Sequence, residues 1–356
     1  MTPPSRSAAT TGQVLHALER APIRPLRTRL VLTLAGFGVL AIVTCVLAPL
    51  VGSTRISLVR AFDRSIPFAD NVDAQIFFVA RLPRVLSGAL VGAAFATAGV
   101  VFQALLRNPL ATPFTLGVSA GASLGAMLVI IFGVTLSAGP FSAVPLASFA
   151  GAAIATGVVY WLATPYRRAM STSVLLLAGV TLNSFFSALI MFVQYMADFA
   201  QAYRASRWLM GDLDVGSFDP IVAAVPLVLI AFALFALLPS ALNVLSLGPD
   251  AAATRGVDVV RTQRLAFFSA SLATSAAVSL AGPIGFIGIV VPHLVRLLVG
   301  SDHRIVLPAS ALFGAAFLVV CDLGARTLLA PVEIPVGVIT ALIGGPFFLW
   351  LLVRRS

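Results

Sequence analysis

Few side chains in this 356-residue chain can do chemistry, and the missing types matter as much as those present. Every one of its 23 basic residues is arginine. A Walker-type phosphate loop needs its lysine, as does Schiff-base or lysine general-base catalysis. His16, His293 and His303 are scattered, with no HExxH spacing or carboxylate cluster beside them. Cys45 and Cys321 both lie in apolar runs, so neither a disulfide framework nor a CxxC metal site is built. Asp322 and Arg326 form the one charged pair close to a span. They stand four apart on one helical face near its outer end, where a local ion pair or a solvated docking role is expected. Coupling groups for proton or sodium transport, and any Ser-His, paired-Asp or metal constellation for hydrolysis, are missing from the apolar runs. A secondary transporter and a membrane enzyme are therefore the weaker readings.

The elements that must position these residues are membrane spans. Hydrophobic residues make up 59% of the chain and charged ones 10%, against about 25% charged in a soluble domain. Mean hydropathy is +1.03. A spanning helix needs ~20 apolar residues, so the length holds roughly eight to eleven. The runs read as ten spans: 30–51, 85–106, 114–134, 144–162, 174–197, 220–238, 265–280, a short 286–299, 305–329 and 335–353. Residues 1–29 read as a polar cytoplasmic tail, and 30–356 as a single transmembrane domain. With the N-terminus inside, fifteen arginines fall on the inner side and eight on the outer. This asymmetry supports a topology with both termini in the cytoplasm, and it accounts for the net charge of +10 without nucleic acid. Gly88, Gly92 and Ala96 share one face, and Gly117, Gly121 and Gly125 another; such small-residue faces let helices approach closely in lipid.

Three passages stand out. They are RLPRVLSGALVGAAFATAGVVFQALLRNPLATPFTLGVSAGA at 81–122, STSVLLLAGVTLNSFFSAL at 171–189, and the run from AGPIGFIGIVVPHLVRLL to ALIGGPFFLWLL at 281–352. Together they resemble the FecCD family, the permease subunits of ABC importers for ferric siderophores, haem and cobalamin. The resemblance covers nearly the whole chain from Leu30. It implies an all-α, ten-helix permease of the type II importer class, multi-pass in the inner (plasma) membrane. It implies no catalytic residue, no metal site and no cofactor on this chain, with ATP and Mg held by a separate ATPase. The implied partners are a second permease subunit, in a homodimer, two cytoplasmic ATPases, and a periplasmic or lipid-anchored substrate-binding protein. The implied cargo is an iron chelate, foremost a ferric siderophore, with cobalamin or haem as alternatives.

Residue roles follow from the same resemblance. Arg81, Arg84 and Arg326 match the arginines that receive acidic groups of the binding protein. The planar guanidinium pairs bidentately with carboxylates, which suits that task; interfacial anchoring is the plainer alternative. The loop at about 241–264 matches the family's ATPase-coupling helices, with Gly248, Pro249, Asp250, Ala251, Ala252, Ala253 and Gly256 as contact positions. Pro249 stands where the family commonly has Glu, and proline is compatible with a first helical turn. Asn108 and Leu110, with Thr172 and Ser173, match the cytoplasmic gate. The prolines at 109 and 113 frame a tight turn between two spans, and Asn108 can bond exposed backbone there. The glycines at 282, 285 and 288 around Pro283 predict a re-entrant element or a short broken helix. His293 is expected to pack rather than to ligate.

Overall fold

The computed structural model describes residues 25–164 and 170–355. Most of the polar tail, including Arg6, His16, Arg20 and Arg24, and the loop arginines Arg167 and Arg168 lie outside the described residues. Among the described residues the regular structure is helical, apart from a two-residue antiparallel ribbon, β1 (Ser137–Ala138) with β2 (Phe141–Ser142).

The helices in order are α1 (Leu26–Leu47), α2 (Leu58–Ala61), α3 (Val72–Gln75), α4 (Leu82–Leu106), α5 (Val118–Phe132), α6 (Ala143–Ala163), α7 (Thr172–Tyr195), α8 (Phe199–Leu209), α9 (Asp219–Ala236), α10 (Pro239–Leu245), α11 (Pro249–Thr254), α12 (Val259–Ala281), α13 (Ile287–Val299), α14 (His303–Thr327) and α15 (Val336–Arg355). Among the described residues, seven helical stretches are long and apolar enough to cross a membrane. Three shorter apolar helices, Val118–Phe132, Ile287–Val299 and Val336–Leu351, bring the number to ten. Ten is the number read from hydropathy. The first helix starts at Leu26, inside the stretch read as tail, so Arg27 and Arg29 ride on its first turn. The third span does not start at Phe114 as expected. Gly117 adopts φ +76, which separates a single 3₁₀ turn at Phe114–Leu116 from α5.

The core gathers on α4 and α12, the most buried spans, whereas α1 and α7 are mostly exposed. Packing relies on missing side chains. A Cβ on Gly92 would stand 2.2 Å from the Gly314 carbonyl oxygen, and one on Gly99 equally close to that of Gly288. These glycines therefore set α14 and α13 against α4 at backbone contact, the close approach expected where lipid offers no hydrophobic drive. Val72–Leu106 runs continuously, with a wider π-helical turn over Ile76–Arg81. Pro83 explains the widening: it lacks an N–H and its ring displaces the preceding carbonyls, so Leu82 N–H reaches back five residues to Phe77.

Cross-chain bonds sort the loops into two faces. Arg29 Nη2 donates to the Val299 carbonyl, Met170 N–H to Gln263, and Asn243 Nδ2 to Asp302. Opposite them, Arg326 bonds the Ala48 carbonyl, Arg81 that of Pro49, and Asp212 N–H that of Ala281. Each bond joins two segments read as inner or two read as outer, as an even number of crossings requires.

Candidate functional site: an outer arginine pocket and an inner loop face

The outer pocket is assembled from four places in the sequence. Ala48 and Pro49 lie in the 3₁₀ turn (Ala48–Leu50) that follows α1, and Ala48 O also accepts from Val51 N–H at 3.4 Å. Arg326 Nη2 donates to Ala48 O at 2.7 Å and Arg81 Nη1 to Pro49 O at 3.1 Å. Arg81 also bonds the Thr54 carbonyl. Two cations at a helix C-terminus are favoured by its dipole as well. The π-helical turn brings Arg81 to this point, with Arg84 one turn on. Arg84 Nε donates to Asp322 Oδ1 at 2.8 Å, and its Nη1 to Glu333 Oε2 at 2.6 Å. Asp322 Oδ2 stands 3.3 Å from Arg326 Nε.

The three arginines proposed for docking are thus brought together, but none is a free surface cation. Arg81, Arg84 and Arg326 are 6%, 8% and 4% exposed. Asp322 is 1% exposed, which corrects the expectation of a solvated residue or a purely local partner of Arg326. It is a buried bridge between two helices, joined to an arginine 238 positions away in sequence. Burial of such charges is costly unless they are paired and hydrogen-bonded, and here every guanidinium has carboxylate or carbonyl partners. The cavity is about 160 Å³ in volume and is also lined by Gly52, Asp214 and Glu333. Sequence reasoning missed Glu333 as a member. The signal was an acid between Pro331 and Pro335 directly after the arginine-bearing helix.

The GPIGFIG segment is a broken helix. α12 stops at Gly282 (φ +71), and α13 restarts after Phe286, itself at φ +67. The loop after α8 satisfies the break, with Asp212 N–H on the Ala281 carbonyl at 2.9 Å. Gly282 leaves room for the Trp208 carbonyl, which would be 2.5 Å from a Cβ there. At the outer surface beside this loop, Arg207 pairs with Asp212 at 2.9 Å, and the carboxylate holds the guanidinium pKa above its ordinary value. His293 is buried and packs its ring 6.0 Å from that of Phe347.

The inner face is built differently. Gly248 (φ +115) turns the chain into α11, Pro249 takes the first helical position, and Gly256 (φ +78) ends the segment. Ala252 is fully buried, while Asp250 and Ala253 face outward and Ala251 and Pro249 are half-buried. Arg107, at the end of α4, lies over Gly248, 3.7 Å from where a Cβ would stand. The turn expected to form the gate therefore lies beside the loop expected to couple to the ATPase. Within that turn Asn108 Oδ1 accepts from Leu110 N–H at 2.9 Å, and Leu110 is exposed. Thr172 is half-buried and Ser173 exposed at the start of α7. The turn and α7 meet further along, where a Cβ on Gly179 would lie 2.4 Å from the Thr115 carbonyl.

Asn243 was not singled out in the sequence, yet it ties the loop at about 241–264 to the start of α14. Its Nδ2 donates to Asp302 Oδ1 at 2.7 Å, and its Oδ1 accepts from His303 N–H at 2.9 Å. Arg304, then Asn243, stabilise the Asp302 carboxylate and hold its pKa down to about 2. Among the described residues no group of three or more His, Cys, Asp or Glu could hold a metal ion.

Comparison with known proteins agrees with this architecture. The cobalamin import system permease protein BtuC of Halobacterium salinarum is 44% identical, over 84% of this chain and 79% of the relative. The Fe(3+) dicitrate transport system permease protein FecD of Escherichia coli is 40% identical, over 77% of this chain and 84% of the relative. A solved inward-facing conformation of a metal-chelate type ABC transporter superposes with a TM-score of 0.79 at 33% identity, covering 91% of this chain and 99% of that one. The model of the FecCD transport family matches residues 40–354, and the chain belongs to that family.

Proposed function

We propose that this permease subunit moves an iron chelate, a ferric siderophore foremost, from a substrate-binding protein into the cytoplasm by alternating access. Two copies pair around the path, each offering the exposed α7. Two separate ATPase subunits seat against α11 and hydrolyse the ATP with its Mg, since this chain has no lysine for a nucleotide loop. The binding protein docks outside at the pocket of Arg81, Arg84 and Arg326. One observation carries the reading: α14 joins the two faces. It is bonded to the coupling loop at its start, through Asp302 and His303, and enters the arginine pocket at its end, through Asp322 and Arg326. A coupling loop and a docking pocket on one helix fit a subunit driven from inside and loaded from outside.

The 44% identity to a cobalamin permease keeps cobalamin as the second substrate. Reconstitution with the ATPase and binding protein separates these readings. ATP-dependent uptake of a ferric siderophore, exceeding that of cyanocobalamin and haem, is expected. Uptake that needs an ion gradient and no ATP would overturn the class; a preference for cobalamin would overturn only the substrate.

Leu110 is the proposed gate residue, with Asn108, Thr172 and Ser173 beside it. A cysteine at this position, Leu110→Cys, is expected to cross-link to its twin in the closed state and not in the open one. Absence of the cross-link in every state would remove the gate from this turn.

A further inference from the structure

The outer pocket holds three guanidinium groups and two contacting carboxylates, and the carboxylates differ in kind. Asp322 sits on α14, is 1% exposed and touches both Arg84 and Arg326. Glu333 sits on the loop between α14 and α15. Its side chain is 41% exposed, and among the described residues its ion pair is with Arg84 Nη1. Among the described residues, the hydrogen-bond partners of the Arg81 side chain are carbonyls. Asp322 is therefore a fixed counter-ion, while Glu333 is a half-solvated acid at the pocket mouth. Leu328, Leu329 and Val332, exposed on the same loop, give the mouth an apolar rim.

We propose that Glu333 is a resident, exchangeable carboxylate: it occupies Arg84 while the outer face is free and gives way to a carboxylate of the docking protein. This rests on the docking reading above and adds what happens inside the pocket. A buried guanidinium stripped of its partner is strongly disfavoured; without Glu333 the site would hold three arginines against two aspartates, Asp322 and the lining Asp214, and carry one excess positive charge. Glu333 removes it. Docking then replaces one carboxylate with another, and the number of ion pairs on Arg84 is unchanged. The partner gains the difference between two similar contacts rather than a whole buried ion pair. Release after delivery is correspondingly easy, because Glu333 returns as the partner leaves. The incoming group is an acidic side chain long enough to pass the apolar rim, and Arg81 is available to share it.

The test uses the permease–ATPase complex in nanodiscs and the purified binding protein that restores uptake with it. Kd and dissociation rate are measured for the wild type, Glu333→Gln, Glu333→Asp, and a double variant with Arg81→Gln and Arg84→Gln. With the competitor neutralised, Glu333→Gln is expected to tighten binding about tenfold, mainly through slower dissociation, the scale of a modest interfacial charge pair. Its salt dependence is expected to steepen, and Glu333→Asp, with a shorter reach to Arg84, to fall between. Unchanged or weaker binding by Glu333→Gln, with the double variant deficient, overturns the exchange and leaves docking standing. Wild-type affinity in the double variant overturns docking and the exchange with it. A thermal midpoint lowered by Glu333→Gln together with weaker binding would make Glu333 a structural brace and also overturn the proposal.

Discussion

The outer pocket and the inner loop face lie at opposite ends of α14 and solve opposite problems. Outside, Arg81, Arg84, Arg326 and Asp322 are all under 9% exposed, and each is fixed by partners distant in sequence. Inside, Asp250, Ala253 and Leu110 face outward, and the loop is held by backbone turns, one buried alanine and the Asn243 side chain. The outer face is specified by charge count, the inner by shape. A partner that meets the first must bring or displace a charge. A partner that meets the second must fit a short helix with almost no side chains to grip.

Variants that disturb one face and spare the other probe this division. The largest effect is expected from Asp322→Ala, which removes the buried carboxylate shared by two guanidinium groups and leaves Arg84 with Glu333 and Arg326 with the Ala48 carbonyl. Breaking a buried pair costs about 3–5 kcal/mol, so the thermal midpoint of the purified permease should fall sharply. A midpoint within a degree or two of wild type would show that the pocket is solvated and the contrast wrong. Next comes Ala253→Arg on the exposed side of α11. Stability should move by no more than ~0.5 kcal/mol, as for other surface changes, while ATP-driven uptake is lost because the helix no longer fits a cleft. Uptake at the wild-type rate would mean that shape does not govern the inner face. The smallest effect belongs to Asp302→Asn. The Asp302 pKa is depressed to about 2, below an unfolded value of about 3.9. Its contribution is fully present above the unfolded value and is lost as pH falls through about 2. The difference in midpoint between wild type and variant should therefore be constant from pH 5 to 9 and shrink only in strong acid.

Much of this was legible in the residues. Hydropathy and arginine asymmetry gave ten spans with paired sidedness, because length and loop charge are local properties. The glycine–proline cluster at 282–288 announced its break for the same reason. Partnership was not legible. Nothing near Asp322 in sequence points to Arg84, and nothing near Asn243 to Asp302, since both contacts depend on which helices end at the same depth. The i,i+4 rule placed Asp322 beside Arg326 correctly, yet it missed the burial that follows from α4 packing across the same turn. Gly117 was read as part of a packing face, and its left-handed turn was overlooked because a single glycine in an apolar run carries both meanings.

The glycine contacts have a mechanical consequence. Where Gly92 meets Gly314 and Gly99 meets Gly288, backbone rests on backbone, with no flexible side chain to absorb a shift. A slide of one helix along the other by a single residue would drive a side chain into a carbonyl. Helices α4, α13 and α14 are in that sense one casting, and Gly121 with Gly151 makes a second of α5 and α6. Any rearrangement of the bundle would have to run through the seams between such castings, and Gly179 against the Thr115 carbonyl puts α7 at one of the tight contacts as well.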